Sequence, residues 1–296
     1  MAAAQQDLIF RPKICHKFNT MNKRGFIYVA SGEKYVREAA HSAARVRELH
    51  GLPITLICDQ ALSPASMAVF DDVRVSLHGF DYRDKLRMYE SPYEHTIFVD
   101  TDTFFVRPVF ELFDLLDQFD LALQFTEGGN HYRLPGVPVC FFEPSAGLIA
   151  WRKNNATAAF FDQWQIAYAK IEREQNIKGA WDQRSLRQAL YTSNARFAPI
   201  PLEWQLCTYK PNFVCHETRM LHGRDASADM ASIIDQRTGP RVWLPKIGLI
   251  PSLEDPSLPE YMRFTLRFTI RFARRWGRLV MHRARIWRLP ENQRPA

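Results

Sequence analysis

The sequence predicts an α/β fold in which a mostly parallel central sheet is flanked by helices. Two apolar runs, residues 25–30 and 53–59, enclose a segment with helical spacing of apolar residues, 33–50. A strand, a helix and a strand joined by short links form a βαβ unit, which implies parallel strands and a right-handed crossover. Further along, another apolar run rich in β-branched and aromatic residues ends at Asp100-Thr101-Asp102.

The remaining elements follow from apolar periodicity and from the turn residues between them. Further strands are predicted at 73–77, 95–100, 121–125 and 145–151, with short segments at 196–200 and 218–222. Further helices are predicted at 81–89, 109–116, 154–174 and 180–191. Gly51 ends the first helix, as glycine often does just past a helix C-terminus. The strand at 145–151 begins with small residues, which let a ligand or another backbone approach closely.

The basic charge of the chain is concentrated at its C-terminus. The 296 residues carry a net charge of +7, but residues 261–296 contain ten Arg and one Glu, so residues 1–260 carry about −2. We expect a leader over 1–24, one domain over 25–260 and a basic amphipathic helix over 261–296. Because the domain itself is not basic, we expect no nucleic-acid partner.

Cysteine usage and the N-terminus bear on the compartment. The five cysteines are odd in number and far apart, which predicts neither a disulfide framework nor a zinc knuckle. Cys58 and Cys140 lie in apolar runs and are predicted to be core residues. Residues 1–10 lack the pattern of a signal peptide, and no apolar run reaches transmembrane length. We therefore expect a cytoplasmic protein. A peripheral position at the inner face of the membrane is the alternative compatible with this location.

Asp100 and Asp102 are the candidate functional pair. Two carboxylates this close at a strand end repel each other, and a divalent cation removes the repulsion. Mg²⁺ and Mn²⁺ take carboxylate oxygens and are often shared with substrate phosphates. Open α/β sheets bind ligands at the carboxyl ends of their strands. The pair therefore predicts a site for Mn²⁺ or Mg²⁺ together with a diphosphate.

Two alternatives explain the same residues. Aspartates often cap helices, so the pair could cap the helix predicted at 109–116. Haloacid-dehalogenase-type phosphohydrolases carry D-x-D-x-T after an apolar strand, with the first aspartate as nucleophile. Here Phe104 stands in place of that threonine, and the motif does not lie near the start of the chain. The phosphohydrolase alternative is weakened but stays open.

Several segments, taken together and in order, resemble the GT-A-type nucleotide-sugar transferases, and most of all the glycogenin-like retaining group. The segments are Tyr28-Val29-Ala30-Ser31-Gly32 with Tyr35, Lys85-Leu86-Arg87, Phe98-Val99-Asp100-Thr101-Asp102, Ser145-Ala146-Gly147-Leu148-Ile149, Trp181-Asp182-Gln183 and Leu221-His222-Gly223. The resemblance covers roughly residues 25–224. It implies a single GT-A (Rossmann-like) domain that binds a nucleotide-sugar donor, with UDP as the favoured nucleotide.

The resemblance also implies a role for each matching residue. Asp182 and Gln183 would be catalytic, because they would bind hydroxyls of the donor sugar and stabilise positive charge at its anomeric carbon. His222 would join Asp100 and Asp102 as a metal ligand, and imidazole is acceptable to Mn²⁺. The residues implied to bind the nucleotide-sugar are Ala30, Ser31, Tyr35, Lys85, Thr101, Ser145, Gly147, Gly223 and Arg224.

The sequence departs from the glycogenin-like pattern after His222. That group has a longer G…K-P-W signature, whereas this chain reads Gly223-Arg224-Asp225. Arg224 is therefore the candidate substitute for the phosphate-binding lysine. His216 competes with His222 as the metal ligand, and Glu127 is a loop carboxylate that could bind metal or acceptor.

The C-terminal segment has the pattern of an amphipathic helix. At 100° per residue, one side carries Arg263, Arg267, Arg271, Arg274, Arg278 and Arg285, with Arg275 at its edge. The opposite side carries Phe268, Phe272, Trp276, Leu279, Val280, Ile286 and Trp287. Such a helix suits an anionic membrane surface, which we expect residues 261–288 to bind. The alternative is that the aromatic side packs on the domain.

We therefore expect a metal-dependent glycosyltransferase that moves a sugar from a nucleotide diphosphate to a glycan, lipid or protein acceptor. Retention of anomeric configuration is expected because no inverting base is identifiable. The loops at 128–139 and 223–259 would select the acceptor, which the sequence does not identify. Two alternatives stay open: a haloacid-dehalogenase-like phosphohydrolase, and a membrane-surface protein that binds a nucleotide without catalysis.

Overall fold

The computed structural model describes residues 23–60, 63, 68–76, 82–126, 133–175, 182–250 and 258–287. Most of the predicted leader, Glu127 and Trp181 lie outside the described residues. Parts of the two predicted acceptor loops also lie outside them. The architecture below is that of the described residues.

These residues form one large sheet, two small sheets and the helices around them. The strands are β1 (Arg24–Ala30), β2 (Ile54–Cys58), β3 (Asp72–Val75), β4 (His95–Val99), β5 (Thr103–Phe105), β6 (Leu121–Thr126), β7 (Glu143–Arg152), β8 (Phe197–Pro199), β9 (Leu206–Cys207), β10 (Asn212–Val214), β11 (Met220–His222), β12 (Arg241–Leu244) and β13 (Gly248–Leu249). The α-helices are α1 (Glu33–His50), α2 (Glu111–Leu115), α3 (Asn155–Gln175), α4 (Asp182–Thr192), α5 (Ala228–Ile234) and α6 (Leu258–Trp287). Two 3-10 helices span Tyr82–Glu90 and Leu202–Trp204.

The seven-stranded central sheet has the order β3-β2-β1-β4-β7-β6-β8. Its neighbouring strands are parallel except at β7, which is antiparallel to both β4 and β6. The predicted α/β fold with a mostly parallel sheet is therefore confirmed. The sheet places the end of β4, and hence the acidic pair, at its middle.

Helices cover both faces of this sheet, which explains why its central strands are apolar throughout instead of alternating. On one face, Phe26 and Tyr28 belong to a core cluster with Val36 of α1. On the other face, Ile27 belongs to a cluster with Trp164 of α3. Consecutive residues of β1 thus enter opposite cores, as the two-residue period of a strand requires.

A small second sheet brings the C-terminal part of the chain to the acidic pair. β11 is antiparallel to β5 and parallel to β9. The register sets His222 opposite Thr103, the residue that follows Asp102. The Gly223 amide also donates to the Asp102 carbonyl at 2.8 Å. Strand pairing therefore brings together Asp102 and His222, which lie 120 positions apart in the sequence.

One alternative and one prediction are wrong. The acidic pair does not cap a helix, because it lies in the turn between β4 and β5, and α2 begins later without a side-chain cap hydrogen bond. Cys140 is not a core residue: it is exposed in a turn ahead of β7, whereas Cys58 is buried as predicted. An apolar run outside regular secondary structure has no fixed inward face, so apolar neighbours did not determine the burial of Cys140.

The C-terminal helix α6 exposes its aromatic residues. Phe264, Phe268, Phe272 and Trp276 stack on one another along the helix, with ring centroids 6.1–6.4 Å apart. Trp276 is 62% exposed, and the other described side chains from 261 to 277 are exposed too, apart from the half-buried Phe264. The aromatic side is therefore not packed on the domain over these residues. No helix among the described residues combines the length and apolar character needed to cross a bilayer.

Asp120 is expected to make folding sensitive to acid. Its buried carboxylate accepts hydrogen bonds from Arg152 at 2.8 Å, Asn154 at 2.8 Å and the Arg196 amide at 2.8 Å, and so joins β6, β7 and β8. Burial alone would raise the pKa of Asp120, but these hydrogen bonds outweigh burial and lower it. A lowered folded-state pKa adds stability above the unfolded pKa of about 3.9, and that stability is lost as pH falls through the folded pKa. Asp120→Asn should cost about 2 kcal/mol at pH 7 and progressively less below pH 4.

Thermal unfolding of wild type and variant between pH 7 and pH 3 measures this effect. Asp114→Asn is the matched control, because Asp114 pairs with Arg24 on the surface, where an ion pair contributes little. A difference in melting temperature that stays constant from pH 7 to pH 3 would contradict the assigned cause.

Candidate active site

A cleft of about 790 Å³ opens at the carboxyl ends of β1 and β4. Most residues predicted for the site line this cleft, and they come from six separate segments of the chain. They are Ser31, Tyr35, Lys85, Asp100, Thr101, Asp102, Ser145, Gly147, Asp182, Gln183, His222, Gly223 and Arg224. Ala30 is the exception, because its side chain is only 3% exposed and does not line the cleft.

Asp100, Asp102 and His222 form one group of possible metal ligands, with ligand atoms all within 4.8 Å of one another. His222 Nε2 lies 3.2 Å from Asp102 Oδ1. Backbone contacts fix the turn that carries the aspartates: the Asp100 amide donates to the Gly147 carbonyl at 2.9 Å. The Thr103 hydroxyl donates to the Asp100 carbonyl at 3.0 Å.

The chemistry and spacing of this group fit a divalent cation. Two oxygens or nitrogens bound to one Mn²⁺ or Mg²⁺ at about 2.1 Å lie at most about 4.2 Å apart. The three ligand atoms lie within 4.8 Å of one another, so side-chain movement without a change of the backbone would bring them onto one ion. Two carboxylates and one imidazole leave further coordination positions for phosphate oxygens or water. These three residues could therefore hold a metal shared with a diphosphate.

The raised pKa of His222 shows that the carboxylates around it favour a positive charge at this position. Burial alone would lower its pKa, but the hydrogen bond to Asp102, with smaller effects of Cys207 and Asp100, raises the pKa to about 10. Burial would likewise raise the pKa of Asp102, whereas His222 and Arg224 bring about a net lowering. In the metal-free protein a proton on His222 therefore provides the positive charge that a bound cation would supply.

Lys85 joins the predicted metal pair to the predicted catalytic pair. Its ammonium lies 2.9 Å from Asp100 Oδ2 and 3.1 Å from Asp182 Oδ2. Burial alone would lower the pKa of Lys85, but the two carboxylates outweigh it and raise the pKa above its usual range. Lys85 is thus a fixed positive charge between Asp100 and Asp182.

Helix α1 contributes Tyr35 to the cleft and places Glu38 beside two other cleft residues, Arg224 and Thr101. Arg224 Nε lies 3.1 Å from Glu38 Oε1, and the Arg224 guanidinium lies 5.8 Å from the centre of the Tyr35 ring. The Thr101 hydroxyl donates to Glu38 Oε2 at 3.3 Å. Sequence reasoning missed Glu38, although it lies one helical turn after Tyr35 on the same face of α1.

Two positions in the cleft require glycine, each for a different structural reason. Gly223 has a φ of 143°, and its amide contacts Asp102, so a side chain there would be strained. A Cβ at Gly147 would lie 2.1 Å from Gln205 Nε2 and 2.5 Å from His222 Cε1. Gly147 therefore makes room for the histidine and for Gln205, another residue that sequence reasoning missed.

The competing histidine is placed elsewhere. His216 lies in another pocket, with Trp204 and Arg219, and does not belong to the metal-ligand group found among the described residues. Its amide donates to buried Glu203. His222 is thus the histidine that the strand pairing brings to the acidic pair. The second candidate, Glu127, falls in a part of the chain that the structure does not describe.

The fold and the site define an α/β protein with a charged cleft at the carboxyl ends of its sheet strands, and this cleft contains three possible metal ligands. Residues 95–207 match the family model of nucleotide-diphospho-sugar transferases. This segment contains the acidic pair, the strand with Gly147, and Asp182. Over this segment the chain is similar to the nucleotide-diphospho-sugar transferases, which are enzymes of the glycosyltransferase class. The match favours this class over the phosphohydrolase alternative.

Comparison with curated proteins finds no match. Among solved structures, the glycosyltransferase GlyE of Streptococcus pneumoniae TIGR4 is 14% identical, covers 61% of this chain and 46% of its own, and has a TM-score of 0.44. An active-site mutant of LgtC is 12% identical, the match covers 70% of this chain and 92% of the LgtC chain, and the TM-score is 0.47. Apo mouse xyloside xylosyltransferase 1 is 10% identical, the match covers 69% of this chain and 98% of the mouse chain, and the TM-score is 0.45. The chain thus spans just under half the length of the GlyE chain.

Proposed function

We propose that the protein is a metal-dependent glycosyltransferase that moves a sugar from a nucleotide diphosphate to a glycan, lipid or protein acceptor. The observation that carries the proposal is the convergence of three possible metal ligands, Asp100, Asp102 and His222, in one cleft. Lys85 and Asp182 extend the same charged constellation. UDP is the proposed nucleotide, on the resemblance of the sequence motifs alone.

A Mn²⁺ or Mg²⁺ ion on Asp100, Asp102 and His222 would neutralise the diphosphate as it leaves the sugar. Lys85, held by its two carboxylates, adds a second positive charge on the side of the cleft that faces Asp182. Such pre-oriented charges stabilise the transition state without reorganising at the moment of reaction. Arg224 is paired with Glu38 through Nε, so a donor phosphate would either share the guanidinium with that carboxylate or displace it.

Asp182 and Gln183 are proposed to act at the sugar. Asp182 begins α4, is only 5% exposed and lies with Oδ2 3.1 Å from the Lys85 ammonium. A carboxylate there can stabilise positive charge as it develops at the anomeric carbon. Lys85 lies 3.1 Å from Asp182 Oδ2 and so occupies the position from which an incoming hydroxyl would reach that oxygen. This geometry supports retention over inversion.

A screen of UDP- and GDP-sugars with Mn²⁺ tests the proposal. A donor that binds the folded state raises the melting temperature by mass action. We expect stabilisation by a UDP-sugar with Mn²⁺, loss of that stabilisation with EDTA, and Mn²⁺-dependent hydrolysis or transfer with release of UDP. The anomeric configuration of the product, measured by NMR, distinguishes retention from inversion. Binding of UDP without turnover of any sugar donor would instead favour the non-catalytic nucleotide-binding alternative.

We further propose that α6 holds the protein at an anionic membrane surface. The four stacked aromatic rings from Phe264 to Trp276 offer an apolar stripe, and arginines lie on the other side of the helix. An in-plane helix of this kind inserts its apolar side between lipid headgroups while its basic side meets anionic lipids. The cytoplasmic, peripheral position predicted from the sequence is part of this proposal.

The triple variant Arg263→Gln, Arg271→Gln, Arg274→Gln should bind anionic vesicles roughly 100-fold more weakly. Each surface-near arginine contributes about 1 kcal/mol of attraction, and about 3 kcal/mol corresponds to that factor. Co-sedimentation of the full chain with phosphatidylserine/phosphatidylcholine vesicles measures the binding. The triple variant Lys170→Gln, Arg173→Gln, Arg196→Gln removes the same charge from another surface and is the matched control. Equal binding of wild type to pure phosphatidylcholine vesicles would contradict an electrostatic contribution.

A further inference from the structure

A buried polar cluster lies behind His222, on the side away from Asp102. Gln205 Nε2 lies 2.7 Å from Ser145 Oγ and 3.1 Å from His222 Nδ1. Gln205 is completely buried, and Ser145 and His222 are 2% and 8% exposed. The imidazole therefore contacts Asp102 through Nε2 and the glutamine amide through Nδ1.

The backbone around this cluster is arranged to admit the glutamine. Gln205 lies between the 3-10 helix Leu202–Trp204 and β9, which runs parallel to β11 and so aligns with His222. The missing Cβ of Gly147 leaves the space that the Gln205 amide and the imidazole fill, since a Cβ would stand 2.1 Å from Gln205 Nε2. The backbone of β7, β9 and β11 thus fixes the position of Gln205 next to His222.

A histidine that binds a metal through Nε2 needs a particular tautomer. The Nε2 lone pair points to the metal, so the proton must lie on Nδ1 and requires an acceptor. Such acceptors fix the ring and raise the affinity for the metal. Near His222 Nδ1, the structure places the Gln205 amide at 3.1 Å and Cys207 Sγ at 3.9 Å. The glutamine is therefore the closer partner by 0.8 Å.

The Gln205 amide can serve this purpose by a half-turn about its last bond. As placed, the amide nitrogen faces the imidazole, and the buried Oε1 has no hydrogen-bond partner. The half-turn brings Oε1 to a position with two neighbours that can both donate, the Ser145 hydroxyl and the Nδ1–H of His222. The Gln205 amide thus has two orientations. The one with Oε1 toward the imidazole accepts the Nδ1 proton of the tautomer that a metal-binding histidine needs.

We propose that Gln205 is a positioning residue that holds His222 in the Nδ1–H tautomer and thereby strengthens the metal site. The inference rests on the metal site proposed above. Gln205 acts through the imidazole and touches neither the metal nor the donor. Ser145 supports it by donating to the same amide oxygen.

The test compares Mn²⁺ affinity of the full chain, measured without nucleotide by electron paramagnetic resonance. Gln205→Met has a similar shape but cannot accept the Nδ1 proton, and it should weaken Mn²⁺ binding about 10- to 100-fold. Gln205→Glu restores an acceptor and should keep the affinity within a few-fold of wild type. Cys207→Ala is the matched control on the same side of the ring and should leave the affinity unchanged.

Long-range ¹H–¹⁵N NMR of the protein with diamagnetic Zn²⁺ gives a second readout. His222 should carry its proton on Nδ1 in wild type and in Gln205→Glu, and should lose that fixed tautomer in Gln205→Met. Wild-type affinity in Gln205→Met, with normal folding, would overturn the role of Gln205 while leaving the metal site intact. Failure of the wild type itself to bind Mn²⁺ would instead overturn the metal site and this inference together.

Discussion

Replacing Asp102 by asparagine should lower Mn²⁺-dependent sugar transfer by about 1,000-fold or more. The variant replaces a carboxylate that lies 3.2 Å from His222 Nε2 by a neutral amide, so the metal loses one negatively charged ligand and His222 loses its charged partner. A metal contributes several kcal/mol of charge stabilisation to the transition state, and about 4 kcal/mol corresponds to this factor. Sugar-nucleotide hydrolysis or transfer, measured over a range of Mn²⁺ concentrations, gives the effect.

Asp225→Asn is the matched control for this prediction. Asp225 lines the same cleft but accepts a hydrogen bond from the Thr208 hydroxyl and is not in the metal-ligand group. Its replacement should leave Mn²⁺ affinity within about threefold, roughly 0.6 kcal/mol. Wild-type metal affinity and activity in Asp102→Asn would show that the acidic pair has another role and would remove the basis of the proposed function.

Replacing Lys85 by methionine should lower the turnover number by about 100- to 1,000-fold, the effect of removing one pre-oriented charge from an active site. The expected effect on the metal is the opposite of that in Asp102→Asn. Lys85 neutralises Asp100 at 2.9 Å and so competes with a cation for that carboxylate. Without the lysine, Mn²⁺ should bind at least as tightly as in wild type, while the Asp182 carboxylate loses its partner.

Steady-state kinetics and Mn²⁺ titration of the same protein sample measure both effects. Lys170→Met, a change of an exposed lysine on α3, is the control for the loss of charge. A parallel loss of metal affinity and turnover in Lys85→Met would mean that the lysine supports the fold of the site and has no separate role toward the donor. The two variants together thus separate metal binding from the chemistry at the phosphate and sugar.

Much of the site was predictable because its residues lie at the ends of locally recognisable elements. An apolar strand that ends in Asp100 and Asp102 is a local pattern, and a parallel sheet places such ends at one edge. The resemblance in motif order then indicated His222, Lys85, Asp182 and the small-residue strand with Gly147. Thirteen of the fourteen predicted site residues line one cleft, although their individual roles stay predictions.

The partners of these residues depend on pairings that no local pattern contains. β7 enters the sheet between β4 and β6, and its position brings Gly147 to the Asp100 amide. Gln205 lies next to His222 only because β9 pairs with β11. Local apolar neighbours also predicted the wrong environment for Cys140.

The sequence by itself determined the α/β class, the strand that carries the acidic pair and the amphipathic character of the C-terminal helix. Each of these is a repeat or a pattern over a few neighbouring residues, which the period of a helix or strand imposes directly on the sequence. Only the tertiary structure decided that His222 and not His216 meets Asp102, that Lys85 joins Asp100 to Asp182, and that Gln205 lies behind His222. These contacts join residues far apart in the chain, and the register between strands that pairs them has no counterpart in the periodicity of either segment.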